Sequence, residues 1–305
     1  MSDLIDEIER LNLEVINLQQ SREYRIGKKI LHFKKLVKEM SIKKIIFKLK
    51  NTRKMEKLIK GQFIENKDYS YLKENANINI NRNIKILVYT CITGNYDNPA
   101  QIYLKESCCD YKLITNNHNI KNNDWKIEYI PEELEKKYNN KELNRYYKMH
   151  PFIYGEYDYS IYVDGNIDII STVSDLEKCL NKKIGIAMHK HKDNDCVFEE
   201  AKLCRILKKG NKQKIEKLMQ KYINEDMPLK YGLPECNIIM TDLKNSVSRK
   251  IFNEWWENLQ KSGCERDQLI FPYVLWKNKI KTDDVMTLGN NVYRNSKFRV
   301  NTHIS

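Results

Sequence analysis

From residue 84 onward, short apolar runs alternate with helical patterns, and this alternation limits the fold more than any other feature. Ile84-Lys-Ile-Leu-Val-Tyr-Thr-Cys91, Tyr111-Lys-Leu-Ile-Thr115 and Trp125-Lys-Ile-Glu-Tyr-Ile130 read as strands. Residues 132–153 read as mostly helix, broken near Pro151. A buried strand then runs into Asp164, and 167–170, 184–188 and 236–241 read as further strands. Helices are expected over 173–181, 197–223 (two of them), 246–261 and 265–277. Strands alternating with helices imply an α/β domain with a mainly parallel, layered sheet. Ligands of such sheets sit beyond the carboxyl ends of the strands. No G-x-G-x-x-G and no G-x-x-x-x-G-K-[ST] is present, which argues against a dinucleotide oxidoreductase or a P-loop NTPase.

The first 83 residues follow other rules. Leu4, Ile8, Leu11, Val15 and Leu18 recur at spacings of four, three, four and three, a heptad seam that stops at Arg22 and Arg25. A helix this short either forms a homodimer through residues 4–18 or packs on its own chain. Residues 22–60 then carry fifteen Lys/Arg against three acids. Ile30, Phe33, Val37 and Met40 can share one helical face, and Ile42, Ile45, Ile46 and Leu49 another, with lysines crowding the remainder. The block is expected to lie on an anionic membrane surface, where each basic residue contributes about 1 kcal/mol. It lacks the aromatic interleaving and the zinc-finger or RNP-type signature of a nucleic-acid contact, so nucleic acid is the weaker reading. The expected organisation is a helical extension over 1–60, an Asn- and Lys-rich linker over 61–83, and the α/β domain over 84–305.

Nothing in the sequence approaches the apolar length of a bilayer span, and the acidic, periodic N-terminus does not read as a secretory signal. Eight Cys without a Cys-x-x-Cys read as free thiols in a reducing compartment. The expected location is cytoplasmic, peripheral at the inner face of the cytoplasmic membrane. His189, His191 and Cys196 lack an evident fourth ligand for a structural zinc.

Chemistry concentrates in a few places. Tyr159-Ser-Ile-Tyr-Val-Asp-Gly-Asn166 delivers Asp164 into a glycine turn. Asp164 and Asn166, two apart across Gly165, can face one hard cation, although Asp-Gly-Asn is also an ordinary turn. Thr93, Gly94, Tyr96 and Asp97 follow the first strand; Gly94 would admit a ligand against backbone and Tyr96 could stack on a base, or the segment is a plain tight turn. Arg145 and Lys148, three apart on a helix, form either a phosphate clamp or a surface basic pair. Asp267 and Gln268 open a helix, Glu199 and Glu200 begin another, and Glu235 and Asn237 flank a strand start, where they could bond hydroxyls. His189 follows a strand end and could face the same cleft.

Four segments in order carry a resemblance: Tyr89–Asp97, Asn144–Asn166, Met188–Glu200, and Tyr231–Asn237 through Glu265–Leu269. Together they resemble a GT-A glycosyltransferase family long classed only as a domain of unknown function. Its members occur in bacterial surface-polysaccharide gene clusters and among plant secretory-pathway proteins. The resemblance covers roughly residues 84–280. It implies a GT-A-like fold, a nucleotide-sugar donor and a divalent metal, Mn2+ or Mg2+. Asn166 departs from the stricter Asp-x-Asp pattern, and a neutral ligand weakens a hard-cation site.

On this reading Thr93, Gly94, Tyr96, Asp97, Arg145, Lys148 and Asp164 bind the donor. Glu199, Glu200, Glu235, Asn237 and Arg266 meet the sugar or acceptor, and Asp267, Gln268 and His189 are the catalytic candidates. Asp164 and Asn166 hold the metal, with His303 closing on it by analogy with late histidines of some GT-A enzymes. Asp267, Glu235 and Glu200 all stay open as the general base. The expected activity moves a hexose-type sugar to a glycan or lipid-linked glycan in bacterial surface-polysaccharide biosynthesis. The alternatives are a nucleic-acid-binding protein acting through 22–60, or a metal-dependent hydrolase built on Asp164.

Overall fold

The structure is a computed structural model that describes residues 2–21, 23–24, 26–27 and 83–301. The chain divides into two compact units, Met1–Lys67 and Asp68–Ser305. In the first, helix α1 spans Ser2–Gln20. Arg10 bridges Glu7 and Glu14 on its exposed face at 2.6 and 2.7 Å, pairs of the i,i+3 and i,i+4 kind that steady a short helix. Leu11, Val15 and Leu18 of the heptad seam are exposed. The basic helices and linker expected over 28–82 lie outside the described residues. Among the described residues no helix is long and apolar enough to cross a membrane. None of the eight cysteines is in a disulfide.

The second unit contains β1 (Ile86–Cys91), β2 (Cys109–Thr115), β3 (Lys126–Tyr129), α2 (Glu132–Lys137), α3 (Asn140–Met149), β4 (Tyr159–Val163) and β5 (Ile167–Ile169). It continues with β6 (Ile186–Lys190), α4 (Val197–Ile206), α5 (Lys212–Asn224), β7 (Pro234–Asp242), α6 (Ser246–Ser262), α7 (Phe271–Lys277) and β8 (Phe298–Val300). Six strands form one sheet in the order β3-β2-β1-β4-β7-β6. All six residues of β1 are buried, as a central strand covered on both faces requires. Alternate side chains feed opposite cores: Leu87, Tyr89 and Cys91 pack toward Phe252, Trp255 and Phe271, while Ile86 and Val88 join Leu113, Ile161 and Phe298.

The sheet is mostly parallel, with one reversal that the apolar pattern does not reveal. β7 pairs antiparallel with both β4 and β6, so it alone runs against the others. Its start, not its end, therefore shares an edge with the ends of β1, β4 and β6. A second sheet pairs β5 with β8, a strand the sequence reading lacks. At three residues, β8 is too short for its own period to show. Arg299 ties it to buried Asp168 at 2.7 Å.

Two expected helices differ from expectation. Residues 174–179 form a 3-10 turn, and 265–277 split into a 3-10 turn over Asp267–Leu269 followed by α7. Pro272 explains the split: it lacks an N–H, and its ring would clash with the carbonyl four residues back in a longer helix. Asp267 and Gln268 thus stand in a tight turn outside the α-helix. A capping box sets the start of α3, with Asn139 accepting from Lys141 and Glu142 backbone N–H groups and Glu142 accepting from Asn139 N–H. That start aims Arg145 and Lys148 inward.

Candidate active site

The end of β4 delivers Asp164 to the shared edge. Its N–H donates to the Asn237 carbonyl on β7 at 2.8 Å, and Ile167 N–H closes the turn onto the Asp164 carbonyl at 3.0 Å. Gly165 is required because a Cβ there would lie 2.7 Å from Ile92 Cγ1. Tyr162 Oη donates to Asp164 Oδ1 at 2.9 Å, and Lys148 Nζ lies 3.3 Å from the same oxygen. Asn166 Nδ2 donates to the Asn301 carbonyl at 2.7 Å, docking the segment after β8 onto the turn. His303 lies outside the described residues.

Beside Asp164 lies a buried ionic cluster. Lys148, 2 % exposed at its side chain, donates to Asp267 Oδ2 at 2.9 Å, and Arg145 Nε lies 3.3 Å from that oxygen. Arg266 adds a third cation to the surroundings of Asp267. Burial raises the Asp267 carboxyl, but the Arg145, Lys148 and Arg266 charges outweigh it and hold the group well below the usual carboxylate range. The Trp255 indole N–H fixes the Asp267 carbonyl at 2.9 Å. The surface-pair reading of Arg145 and Lys148 is therefore excluded. Arg145 Nε and Arg266 Nε are buried without a hydrogen-bond partner. Three cations gather at Asp267; Lys148 also meets Asp164, and Arg266 also feels Glu200.

On the other side of β7 is a cluster of a different kind. The β6–β7 register shifts between Met188 and His189, a bulge that brings His189 opposite Glu235. His191 Nδ1 accepts from Asn194 N–H at 3.0 Å, so its proton sits on Nε2. That nitrogen lies 3.7 Å from both Glu200 Oε2 and Glu235 Oε2. Glu200 is satisfied, accepting from Asn194 Nδ2 at 2.6 Å and from Cys204 Sγ at 3.5 Å. Glu235 is held only loosely, by Gln268 Nε2 at 3.5 Å. Burial pushes the Glu235 carboxyl up; Glu200 and Asp164 push it the same way, against His191 and Lys192.

The loop after β1 forms an amide-rich wall. Gly94, at φ +62°, donates its N–H to Asn116 Oδ1 at 2.8 Å, and Thr93 Oγ1 donates to the Asn140 carbonyl at 2.7 Å. A Cβ at Gly94 would lie 2.8 Å from Asn140 Nδ2. Tyr96 is exposed and Asp97 buried.

The edge thus gathers Thr93, Gly94, Arg145, Lys148, Asp164, Glu200, Glu235, Asn237, Arg266, Asp267 and Gln268. It does not gather Glu199, which pairs with Lys202 at 2.6 Å on the outer side of α4. Nor does it gather His189. That ring is fully buried, edge-on to Phe298 and 2.8 Å from Asn295 Nδ2. Burial lowers its pKa to about 3, so it is a neutral core residue, which corrects its expected place in the cleft. His189, His191 and Cys196 form no zinc site: among the described residues no three His, Cys, Asp or Glu side chains converge on a metal position. The sequence reading passed over Tyr162, whose signal was its place two residues before Asp164 on the same strand face. His191 and Asn194 had no such local signal as partners of Glu200.

A family model described as TOD1/MUCI70, glycosyltransferase-like domain, matches residues 110–303. The chain belongs to the TOD1/MUCI70 family. The match takes in both carboxylate clusters of this TOD1/MUCI70 chain but begins after β1 and the Thr93–Asp97 loop. The protein is glycosyltransferase-like, with a GT-A-like sheet. No curated protein matches it.

Among solved structures it is similar to the WbbM bifunctional glycosyltransferase, at 11% identity and TM-score 0.40, covering 74% of this chain and 41% of that one. This chain therefore spans less than half of the WbbM chain. It is also similar to mouse xyloside xylosyltransferase 1 at 7% identity and TM-score 0.36, covering 66% and 83% of the two chains. A third is the mannosyltransferase Ktr4p of S. cerevisiae, at 11% identity and TM-score 0.34, covering 74% and 80%.

Proposed function

We propose that this TOD1/MUCI70 chain moves a hexose-type sugar from a nucleotide-sugar donor to a hydroxyl of a glycan or lipid-linked glycan during surface-polysaccharide assembly. The observation that carries the reading is the buried group of three cations, Arg145, Lys148 and Arg266, gathered at Asp267 next to Asp164, in a glycosyltransferase-like chain. Sugar transfer leaves a nucleoside diphosphate with added negative charge, and fixed cations in a dry site stabilise it as it forms. The amide wall around Gly94 would face the nucleoside, one strand away from Asp164.

A divalent cation fits this site in company with the donor. Asp164 Oδ1 is taken by Tyr162 and Lys148, while Oδ2 accepts no hydrogen bond among the described residues. Asn166 Oδ1 is likewise available, since its amide nitrogen makes the contact to Asn301. One carboxylate oxygen and one amide oxygen suit Mn2+ or Mg2+ that takes its remaining ligands from phosphates, water and, in this proposal, His303. When bound, the cation would neutralise diphosphate charge; Lys148 and Arg145 would do the same from the opposite side.

The test is a thermal-shift panel of nucleoside diphosphates and nucleotide sugars, with and without manganese, on the chain and on Asp164→Ala. A native-state ligand at a hundredfold excess over Kd stabilises by about 2.7 kcal/mol. A shift with one nucleotide, lost in the variant, is the expected result; no shift with any donor rules the reading out. Product analysis with acceptor present separates transfer from hydrolysis. Attachment to a membrane through 22–60 belongs to the same proposal. Flotation with anionic vesicles should fall when Lys28, Lys29, Lys34, Lys35 and Lys38 become Gln; unchanged flotation removes the anchor.

A further inference from the structure

Glycosyl transfer to a hydroxyl requires something to take that hydroxyl's proton, and three carboxylates had equal standing in the sequence. Their surroundings separate them. Asp267 is 4% exposed and its Oδ2 is shared by Lys148 and Arg145. A carboxylate held ionised in this way is a poor proton acceptor. Glu200 is 5% exposed, with Asn194 on one oxygen and Cys204 on the other. Glu235 has no close bond: its nearest polar contacts are Gln268 at 3.5 Å and His191 at 3.7 Å, and its side chain is 15% exposed.

Position points the same way. Neighbouring strands lie about 4.8 Å apart, and β7 stands between β4 and β6. Along the edge the order is the Gly94 wall at β1, Asp164 at β4, Glu235 at β7 and His191 at β6. A donor with its nucleoside at β1 and its diphosphate at Asp164 points its sugar toward β7. Glu235, one strand further along, would then stand next to the reacting carbon.

We propose that Glu235 takes the proton of the acceptor hydroxyl, with His191 and Gln268 as positioning residues, and that the transfer inverts the anomeric carbon. The inference rests on the glycosyltransferase reading. In the step, the acceptor O–H bond breaks and its proton moves to Glu235 Oε2. The freed electron pair of the acceptor oxygen forms the bond to the anomeric carbon. The bond from that carbon to the diphosphate oxygen breaks with its pair, and the nucleoside diphosphate leaves. The charged and titratable groups facing Glu235 are His191 and Lys192 from the end of β6, Glu200 from α4, Asp164 from β4, and Tyr293. Burial and the two carboxylates bring Glu235 closer to neutrality, where proton transfer at physiological pH is most effective.

The experiment uses the full chain with UDP-glucose, UDP-galactose and GDP-mannose, following nucleoside diphosphate release with water as acceptor. Glu235→Gln should lower turnover by about 10²- to 10⁴-fold, the usual contribution of a general base, while UDP or GDP binding stays within about twofold. The acid limb of the wild-type pH–rate profile should vanish in that variant. Added azide, which needs no deprotonation, should restore release and form a glycosyl azide of inverted configuration. His191→Gln should shift the acid limb with a smaller loss.

Should E235Q lose nucleotide binding as well, Glu235→Asp supplies the second reading, with binding kept and turnover reduced at least tenfold. Turnover within tenfold of wild type in E235Q, or a product that keeps the donor's configuration by NMR, overturns the proposal and leaves the transferase reading standing. Absence of both nucleotide binding and release in the wild type overturns the two together.

Discussion

Two carboxylate clusters share one strand edge and are built on opposite principles. Around Asp267, three cations crowd one buried carboxylate, with contacts of 2.9 and 3.3 Å. Around His191, two carboxylates share one imidazole at 3.7 Å each. The first is locked, with Asp267 held as the carboxylate. The second is underbonded, and one of its members is pushed toward holding a proton. An electrostatic anchor for a leaving group and a place for a mobile proton need these opposite environments. The chain sets them on either side of Asp164 and β7.

The largest effect expected from breaking this contrast is at Asp267. Asp267→Ala leaves Arg145 buried without its close counter-charge and Lys148 with Asp164 alone, and should cost about 3–5 kcal/mol in urea unfolding. A loss below 1 kcal/mol would show that the cluster is hydrated rather than locked. Asp164→Ala should instead spare the fold, since that side chain is a third exposed, and lower sugar transfer by about 10²–10³-fold, or about 2.7–4 kcal/mol of transition-state stabilisation. Steady-state rates with the donor found by thermal shift check it.

Adjacent glutamates sharpen the comparison. Glu200→Ala removes a buried acceptor from Asn194 and should destabilise by about 1–3 kcal/mol. Glu199→Ala breaks only the exposed pair with Lys202 and should stay within about 0.5 kcal/mol. Equal losses for the two would deny that the His191 cluster is structural as well as reactive.

The clusters should also respond to pH with opposite signs. Asp267 is depressed in the fold, so its stabilisation is complete above the unfolded carboxylate range and lost as pH falls through the folded value. Glu235 is raised, so its contribution is complete below the unfolded value and lost as pH climbs through the folded one. Glu235→Gln should therefore flatten a decline of stability with rising pH; a steeper decline would contradict the raised carboxyl. His189 supplies a background to subtract. It stays neutral in the fold down to about 3, whereas the unfolded ring titrates near 6.5. Stability should fall as pH drops between those values, by about 1.4 kcal/mol per pH unit. His189→Gln, followed by melting across that range, should remove this slope. An unchanged slope would place the ring in contact with water.

Much of the domain was legible because its strands are local signals. β1, β2 and β4 announce themselves as apolar runs, and Asp164 is marked by the glycine turn that ends one of them. Gly165 is needed for its close approach to Ile92, a constraint that the Asp-Gly-Asn tripeptide already carries. What failed was whatever depends on partners far along the chain. β8 forms only because Phe298–Val300 finds β5, which lies about 130 residues earlier. His189 looked like a cleft residue from its place at a strand end. The bulge beside it and the packing of Phe298 turned it into the core.

The sequence by itself determined the α/β class, the approximate places of the strands and the ionisable residue types near their ends. Those follow from hydrophobic periods and turn chemistry within a few residues. Only the tertiary structure decided which charges meet. Lys148 reaches Asp267 across 119 positions, and the reversal of β7 brings its first residues, Glu235 among them, to the edge where Asp164 emerges. Charge environment sets what a carboxylate can do, and that environment is assembled by contacts for which no local pattern codes.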